Sequence, residues 1–369
     1  MDLYMAPMEG VTGYIYRNTH HAFFSGQDKI IDKYFTPFVV ATYTRKLKSR
    51  ERIDILPENN RGLNGEMHVV PQILTNRSDE MLHMACVMAG MGYREINLNL
   101  GCPVRTVTSK GKGSGFLQYP EALSRFLDEV YSELDRKAAS GGEALRLSVK
   151  TRIGFENPEE AAALMKIFSQ FPVSELIIHP RTTKEGYAGF PHVDVFADIF
   201  REYAGRMRLI YNGNIFSGHD YALITSLMPS LSGVMLGRGL ISDPGLARFI
   251  RTGNAITAEE LRTFCQALLD AYKEEYLTPG RGSAGEQVLV NRMKELWFYM
   301  GNLFSGSRSL VAGTKAPEGE KRPGVYGDFP LHIKNVRKAG NVREYESAVR
   351  MLFANCPITG CADGLKDPS

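Results

Sequence analysis

A (β/α)8 TIM barrel followed by a smaller all-helical C-terminal domain is the fold this chain predicts, and three observations carry the expectation. Short apolar, strand-like runs alternate with longer amphipathic stretches over residues 1–250. Polar residues of chemically useful types collect where those runs end. After Gly253 the alternation stops and only helical spacing remains, which sets a second domain at 255–369. Eight strands, each followed by a helix, within roughly 250 residues is the arithmetic of such a barrel.

The strand-like runs fall at residues 3–8, 30–38, 68–74, 94–99, 145–150, 175–179, 208–212 and 233–236. Helical patterns lie between most of them. Residues 78–89 follow the third run, and 120–134 follow the fourth, opened by Pro120, whose fixed φ suits a first helical turn. A doubly wound open sheet is the competing fold. It calls for a Gly-x-Gly-x-x-Gly turn after an early strand, whereas the first run here leads into Met8-Glu9-Gly10-Val11-Thr12-Gly13. Downstream, Thr257-Ala258-Glu259-Glu260 has the form of a capped helix start for a helix reaching Tyr276, and 286–304 shows apolar residues at helical spacing. The Gly-, Pro- and Lys-rich stretch 305–334 reads as a loop, and 342–353 as a final helix. The chain has no internal repeat.

With 369 residues, 43% hydrophobic and 23% charged, the chain has the composition of a folded soluble protein. Met1-Asp2-Leu3-Tyr4-Met5-Ala6-Pro7 lacks the charged and apolar regions of a signal peptide, and no apolar run approaches the roughly 18 residues a bilayer requires, so a cytoplasmic protein without membrane contact is expected. The five cysteines are odd in number and scattered, which suits a reducing compartment and argues against a disulfide framework. Cys356 and Cys361 are the only close pair; with no second pair they make a poor zinc site, and no metal is expected. The net charge of +3 says little about partners, but the distribution says more. Arg45, Lys46, Lys48, Arg50 and Arg52 stand against the single acid Glu51, and a second basic stretch runs over 315–343. Such runs are solvated faces unless something else recruits them. No protein partner is evident.

The most informative stretch is Asn97-Leu98-Asn99-Leu100-Gly101-Cys102-Pro103-Val104. One cysteine sits between a glycine and a proline just where a strand runs into a loop, so its thiol is displayed rather than packed in a core. A barrel enzyme keeps its chemistry at the C-terminal ends of its strands. There this sequence places Pro7-Met8-Glu9-Gly10 after the first run, Gln72 or Asn76 at the third, Asn97, Asn99 and Cys102 at the fourth, and Lys150-Thr151-Arg152 at the fifth. His179-Pro180-Arg181-Thr182, Asn212-Gly213-Asn214 and Gly237-Arg238-Gly239 come at the sixth, seventh and eighth. Each has a bland reading alone; their convergence on one rim is the argument. Loops after the seventh and eighth strands commonly bind phosphate, Gly213 and Gly237 let backbone N–H groups approach an anion, and Arg238 adds a forked cation. With one phosphate site in sight, FMN is the expected cofactor: Lys150 would oppose the charge of the reduced ring and Gln72 would hydrogen-bond its pyrimidine edge.

In order, Ala6-Pro7-Met8-Glu9-Gly10-Val11-Thr12, the Cys102 loop, Val149-Lys150-Thr151-Arg152-Ile153-Gly154, His179-Pro180-Arg181-Thr182, Asn212-Gly213-Asn214-Ile215 and Gly237-Arg238-Gly239 make the chain resemble the tRNA-dihydrouridine synthases. That resemblance implies an FMN-binding barrel and an appended helical domain that together grip tRNA, with NADPH as electron donor. It implies that Pro7, Met8, Glu9, Gln72, Lys150, His179, Asn212, Gly213, Asn214, Gly237 and Arg238 line the flavin and that Cys102 is the proton donor. Asn99 and Arg181, with Arg292 and Lys294 on the second helix of the appended domain, are the candidates for contacting substrate. Two positions depart from the family pattern: Asn97 and Asn214 stand where an acid is usual, which removes charge and keeps hydrogen-bonding capacity.

The chemistry fits a thiol. Uracil's C5=C6 bond is conjugated to the C4 carbonyl, so hydride adds at C6 and the enolate needs a proton at C5. A thiol with a pKa near 8.5 is mostly protonated at neutral pH yet acidic enough to give that proton up. The base must leave its stack to lie against the flavin, at a cost of a few kcal/mol that phosphate contacts offset. Two other classes share part of these features: an FMN-barrel oxidoreductase acting on a free pyrimidine or enone, which has no need of the helical appendage, and a binding-only RNA chaperone, which has no need of flavin.

Overall fold

The computed structural model describes residues 1–25, 29–42, 47–60, 67–141, 144–278, 282–304 and 331–358. Arg45, Lys46, Cys361 and the 315–330 part of the second basic stretch lie outside the described residues.

Ten strand segments form one sheet: β1 (Asp2–Met5), β2 (Lys33–Phe35), β3 (Val39–Val40), β4 (Val69–Val70), β5 (Gln72–Leu74), β6 (Glu95–Leu100), β7 (Arg146–Gly154), β8 (Leu176–Thr182), β9 (Leu209–Tyr211) and β10 (Gly233–Leu236). Their order is β3-β5-β6-β7-β8-β9-β10-β1-β2-β4. The expected eight runs are all present, but the second and third are each broken in two. Pro37 separates β2 from β3 and Pro71 separates β4 from β5, because proline brings no N–H to a ladder. Since β2 pairs with β4 and β3 with β5, all in parallel, the ten segments occupy eight strand positions of a (β/α)8 barrel.

The strands are buried on both faces, as parallel strands covered by helices must be. Tyr4, Ala6, Phe35, Val70, Ile177, Ile210 and Met235 pack into one buried cluster. Near the strand starts lies a buried ionic group. The Lys33 ammonium bridges Glu95 at 2.8 Å and Glu175 at 2.9 Å, and Glu175 also accepts from Tyr4 and from Arg208. Burial of two carboxylates is tolerated there because each faces a cation.

Packing divides the chain into two compact units, 1–9, 31–213 and 225–235 in the first, 10–30, 214–224 and 236–369 in the second. The second therefore takes up 10–30, 214–224 and the stretch from 236, all of which begin before residue 250. The physical reason for the first of these is aromatic: in helix Tyr14–His20 and the turn after it, Tyr16, His20, Phe23 and Phe24 all set rings against Phe264 of helix Ala258–Tyr276. That long helix begins as its sequence predicts, with Thr257 accepting from the Glu260 amide and Glu260 accepting from the Thr257 amide. Helices Gly282–Met300 and Val342–Asn355 match the expected 286–304 and 342–353 in kind. The expected loop at 305–334 does not hold for its last four residues, since Leu331–Lys338 is helical and buries Ile333 and Val336, and its 305–330 part lies outside the described residues. Within the helical region after 253, Phe304 and Ile358 also form an isolated antiparallel bridge. No helix among the described residues is long and apolar enough to cross a membrane.

Candidate active site

Residues two apart on a strand share a face, and four strands of the first unit use that rule to carry polar side chains inward. Gln72 lies on β5, Asn97 and Asn99 on β6, Ser148, Lys150 and Arg152 on β7, and His179 and Arg181 on β8. Parallel register then sets them side by side: Gln72 is opposite Asn97, Asn97 opposite Ser148, Asn99 opposite Lys150, and Arg152 opposite His179.

Cys102 comes directly after β6, and the peptide groups around it are held from both sides. The Asn99 carboxamide oxygen accepts from the backbone N–H of Gly101 at 3.1 Å and of Cys102 at 3.0 Å. The Gly101 carbonyl accepts from Arg152 Nε at 2.9 Å, and the Cys102 carbonyl accepts from the Ser114 amide and hydroxyl. Gly113 has φ +57 and passes so close to the loop that an added Cβ would meet the Cys102 carbonyl at 2.8 Å. Burial raises the thiol's pKa, and a hydrogen bond from the Val104 backbone together with the Arg152 and Lys150 cations only partly offsets this. Cys102 is thus a protonated thiol near neutral pH.

Lys150 is half-buried. Desolvation, and then the neighbouring Arg152 guanidinium, lower its ammonium from 10.5 to about 7. A lysine so placed switches between cation and neutral amine within the physiological range, which is what a group answering charge on a bound ligand requires.

Arg152 and Arg181 are each only 1% exposed, and both work as clasps. Arg152 Nη1 donates to the carbonyls of Thr182 and Gly186, both at 2.8 Å, while Nε holds Gly101, so one guanidinium ties the cysteine loop to the loop after β8. Its cationic carbon lies 5.5 Å from the centre of the Tyr187 ring, and Tyr187 is 54% exposed. Arg181 donates to the Ala188 and Gly189 carbonyls and approaches His179 Nε2 at 2.9 Å. A guanidinium can only donate, so His179 Nε2 accepts and the imidazole is the neutral Nδ1–H tautomer.

Asn212 donates to the Met235 carbonyl at 2.7 Å, and Gly213 leaves no room for a side chain, an added Cβ meeting the Tyr211 hydroxyl at 2.9 Å. Glu9 is ion-paired with Arg50. Pro7 and Met8 continue the chain beyond β1. In the second unit Arg238 donates to the Asn214 side chain at 2.8 Å, and Gly237 precedes the short helix Arg238–Ser242. Asn214 has φ +26 and is the one non-glycine residue with positive φ among those described; asparagine tolerates that region better than most side chains. Arg292 donates to the Gly10 carbonyl and Lys294 to the Ala339 carbonyl at 2.8 Å. Both expected substrate cations of this helix, like Arg181, thus hold backbone carbonyls of the chain itself.

Ser148, Ser114 and Tyr187 carry parts of the site that sequence reading did not name, and Arg152, which it placed at the fifth strand end, was given no role there. The signal available for two of them was the i, i+2 spacing of Ser148 and Arg152 around Lys150. Ser114 and Tyr187 lie on loops and have no such signal.

The Cys102 thiol and the Lys150 amine thus lie on neighbouring strands at the strand ends of a parallel barrel, where barrel enzymes keep their chemistry. The chain belongs to the dihydrouridine synthase (Dus) family, whose sequence profile matches residues 4–294. It is 29% identical over 243 residues to a probable tRNA-dihydrouridine synthase of Staphylococcus epidermidis, covering 65% of this chain and 69% of that one. A tRNA-dihydrouridine(16) synthase of Ralstonia nicotianae is 28% identical over 250 residues, 68% of this chain and 72% of the relative. Among solved structures, DHODH of Eimeria tenella in complex with ferulenol aligns with 73% of this chain and 84% of its own at 13% identity, with a TM-score of 0.47.

Proposed function

We propose that this protein is a tRNA-dihydrouridine synthase of the cytoplasm, reducing the C5=C6 bond of uridine in tRNA with FMN as cofactor and NADPH as electron donor. The observation that carries the reading is Cys102: a thiol kept protonated by burial, on a loop whose peptide groups are fixed, one strand away from Lys150. The donor set suits a flavin mononucleotide. Lys150, Gln72 and His179 are residue types that would serve its ring, and we assign its phosphate to Gly213, Gly237 and Arg238 on the resemblance to the family. When bound and reduced, the flavin supplies hydride to uracil C6.

Everything else falls to side chains of this chain. Cys102 gives its proton to C5 as the enolate collapses, and Lys150, able to hold or release a proton near pH 7, answers the charge on the ring. Asn99 and Arg152 keep the thiol's loop from moving away from the base. We assign the helical region 255–369 to gripping tRNA, with the exposed Lys334, Lys338 and Arg343 in place of Arg292 and Lys294, which hold carbonyls.

Cys102→Ala tests the reading. It should retain FMN and be reduced by NADPH at the wild-type rate, while reduction of uridine in tRNA falls by about 10² to 10⁴, the usual worth of a general acid. Anaerobic stopped-flow absorbance tracks both half-reactions. An unchanged rate with tRNA refutes the proton-donor role, and activity on free uracil equal to that on tRNA refutes the substrate.

A further inference from the structure

The backbone of the Cys102 loop is the end of a longer chain of hydrogen bonds. Asn99 spends its oxygen on the Gly101 and Cys102 amides, so its Nδ2 must face the other way, and it donates to Gln72 Oε1 at 2.6 Å. That forces the amino group of Gln72 toward Asn97, whose Oδ1 accepts at 2.7 Å. Asn97 in turn donates through Nδ2 to Ser148 Oγ at 2.9 Å, and the Ser148 hydroxyl donates a hydrogen bond to the Ile96 carbonyl at 3.2 Å. Three carboxamides and one hydroxyl therefore run in a single sense, each donating away from the cysteine, and all four side chains are buried. With all four side chains buried, a broken link leaves a polar group unpaired at a cost, so each amide turns only together with its neighbours.

We infer that Asn97 is a positioning residue for the thiol, acting through Gln72 and Asn99, with Ser148 as the acceptor that fixes the direction of the chain. Its part in uridine reduction rests on the proton-donor reading of Cys102, whereas its hold on the loop does not. An aspartate at this position reverses only the link to Ser148 and keeps every link between it and the cysteine: one oxygen accepts from Gln72 and the other accepts from the Ser148 hydroxyl, which turns away from Ile96. A leucine of similar size offers neither bond.

The test uses full-length FMN-loaded protein carrying Asn97→Asp, Asn97→Leu, Ser148→Ala or Ser148→Thr. Asn97→Leu should slow flavin reoxidation by a tRNA transcript about tenfold or more, with reduction by NADPH within about threefold of wild type, because a small displacement of a reacting group is costly. Asn97→Asp should stay within about threefold in both steps, since the hydrogen-bond chain survives. A second readout needs no activity. Alkylation of Cys102 by iodoacetamide, measured by peptide mass spectrometry against Cys356, should change about threefold or more in Asn97→Leu and little in Asn97→Asp, as the loop loses its anchor only in the former. Wild-type behaviour of Asn97→Leu in both readouts overturns the inference, as does equal impairment of the two Asn97 variants. Altered alkylation with an unchanged tRNA step supports the positioning role and overturns Cys102 as proton donor instead. Should Asn97→Leu fail to fold, Ser148→Ala against Ser148→Thr, which keeps the hydroxyl, carries the same expectations.

Discussion

Replacing Arg152 by methionine removes a cation but keeps most of the apolar stem, and the structure fixes the consequences. Three carbonyls, those of Gly101, Thr182 and Gly186, lose their charged donor. Hydrogen bonds to charged groups are worth about 1.5–3 kcal/mol each, and a buried carbonyl left unpaired costs about 1–3 kcal/mol. Gly101 and Gly186 are both exposed enough to recover a water, so one uncompensated loss, that of the buried Thr182 carbonyl at about 1.5–3 kcal/mol, is expected. Arg152→Lys should recover only part, since an ammonium does not reproduce the fork that reaches both loops. The electrostatic effects have definite signs. Arg152 lowers the pKa of both Cys102 and Lys150, so its removal moves both upward. Urea unfolding monitored by circular dichroism measures the loss of stability, and the pH dependence of Cys102 alkylation measures the shift of the thiol. A stability loss below about 1 kcal/mol, with the alkylation profile of wild type, would refute the clasp.

Lys150→Met should change how stability of the flavin-free protein depends on pH. The folded-state pKa of Lys150 is about 7, below the 10.5 of the unfolded chain, so between those values the unfolded state binds more protons and this group makes stability rise with pH. The difference in urea midpoint between Lys150→Met and wild type should therefore shrink from pH 7 to pH 9.5, and a pH-independent difference would show that Lys150 titrates normally. Arg238→Ala should lose FMN on gel filtration while leaving the unfolding midpoint of the flavin-free protein close to wild type, and full flavin retention would exclude Arg238 from the phosphate site. Neutralising Lys334, Lys338 and Arg343 together should leave the flavin spectrum intact and reduce the log–log salt slope of tRNA binding by roughly 0.7 to 0.9 for each phosphate no longer neutralised. Fluorescence titration at several salt concentrations reads that slope, and a wild-type value would mark these charges as a solvated face.

Local rules within the chain determined much of this protein. Alternation of strand and helix patterns announced the barrel, Thr257 and Glu260 announced a helix start, and glycine and proline around Cys102 announced a displayed thiol, because each depends only on residues a few positions apart. The proline breaks at 37 and 71 were equally local and could have been read from the missing N–H groups. Even the inward polar residues were legible as i, i+2 pairs, Asn97 with Asn99, Lys150 with Arg152, His179 with Arg181. Register was beyond the reach of local pattern. Only the folded sheet decides that Gln72 stands beside Asn97 and Asn97 beside Ser148, since a shift of one residue between strands would have turned every one of these side chains away. Tertiary structure also decided which cations hold the chain to itself. Arg181, Arg292 and Lys294 look in sequence like arms for an anionic partner, and the structure instead sets each of them against backbone carbonyls of the chain, a pairing between distant residues that no local pattern reveals.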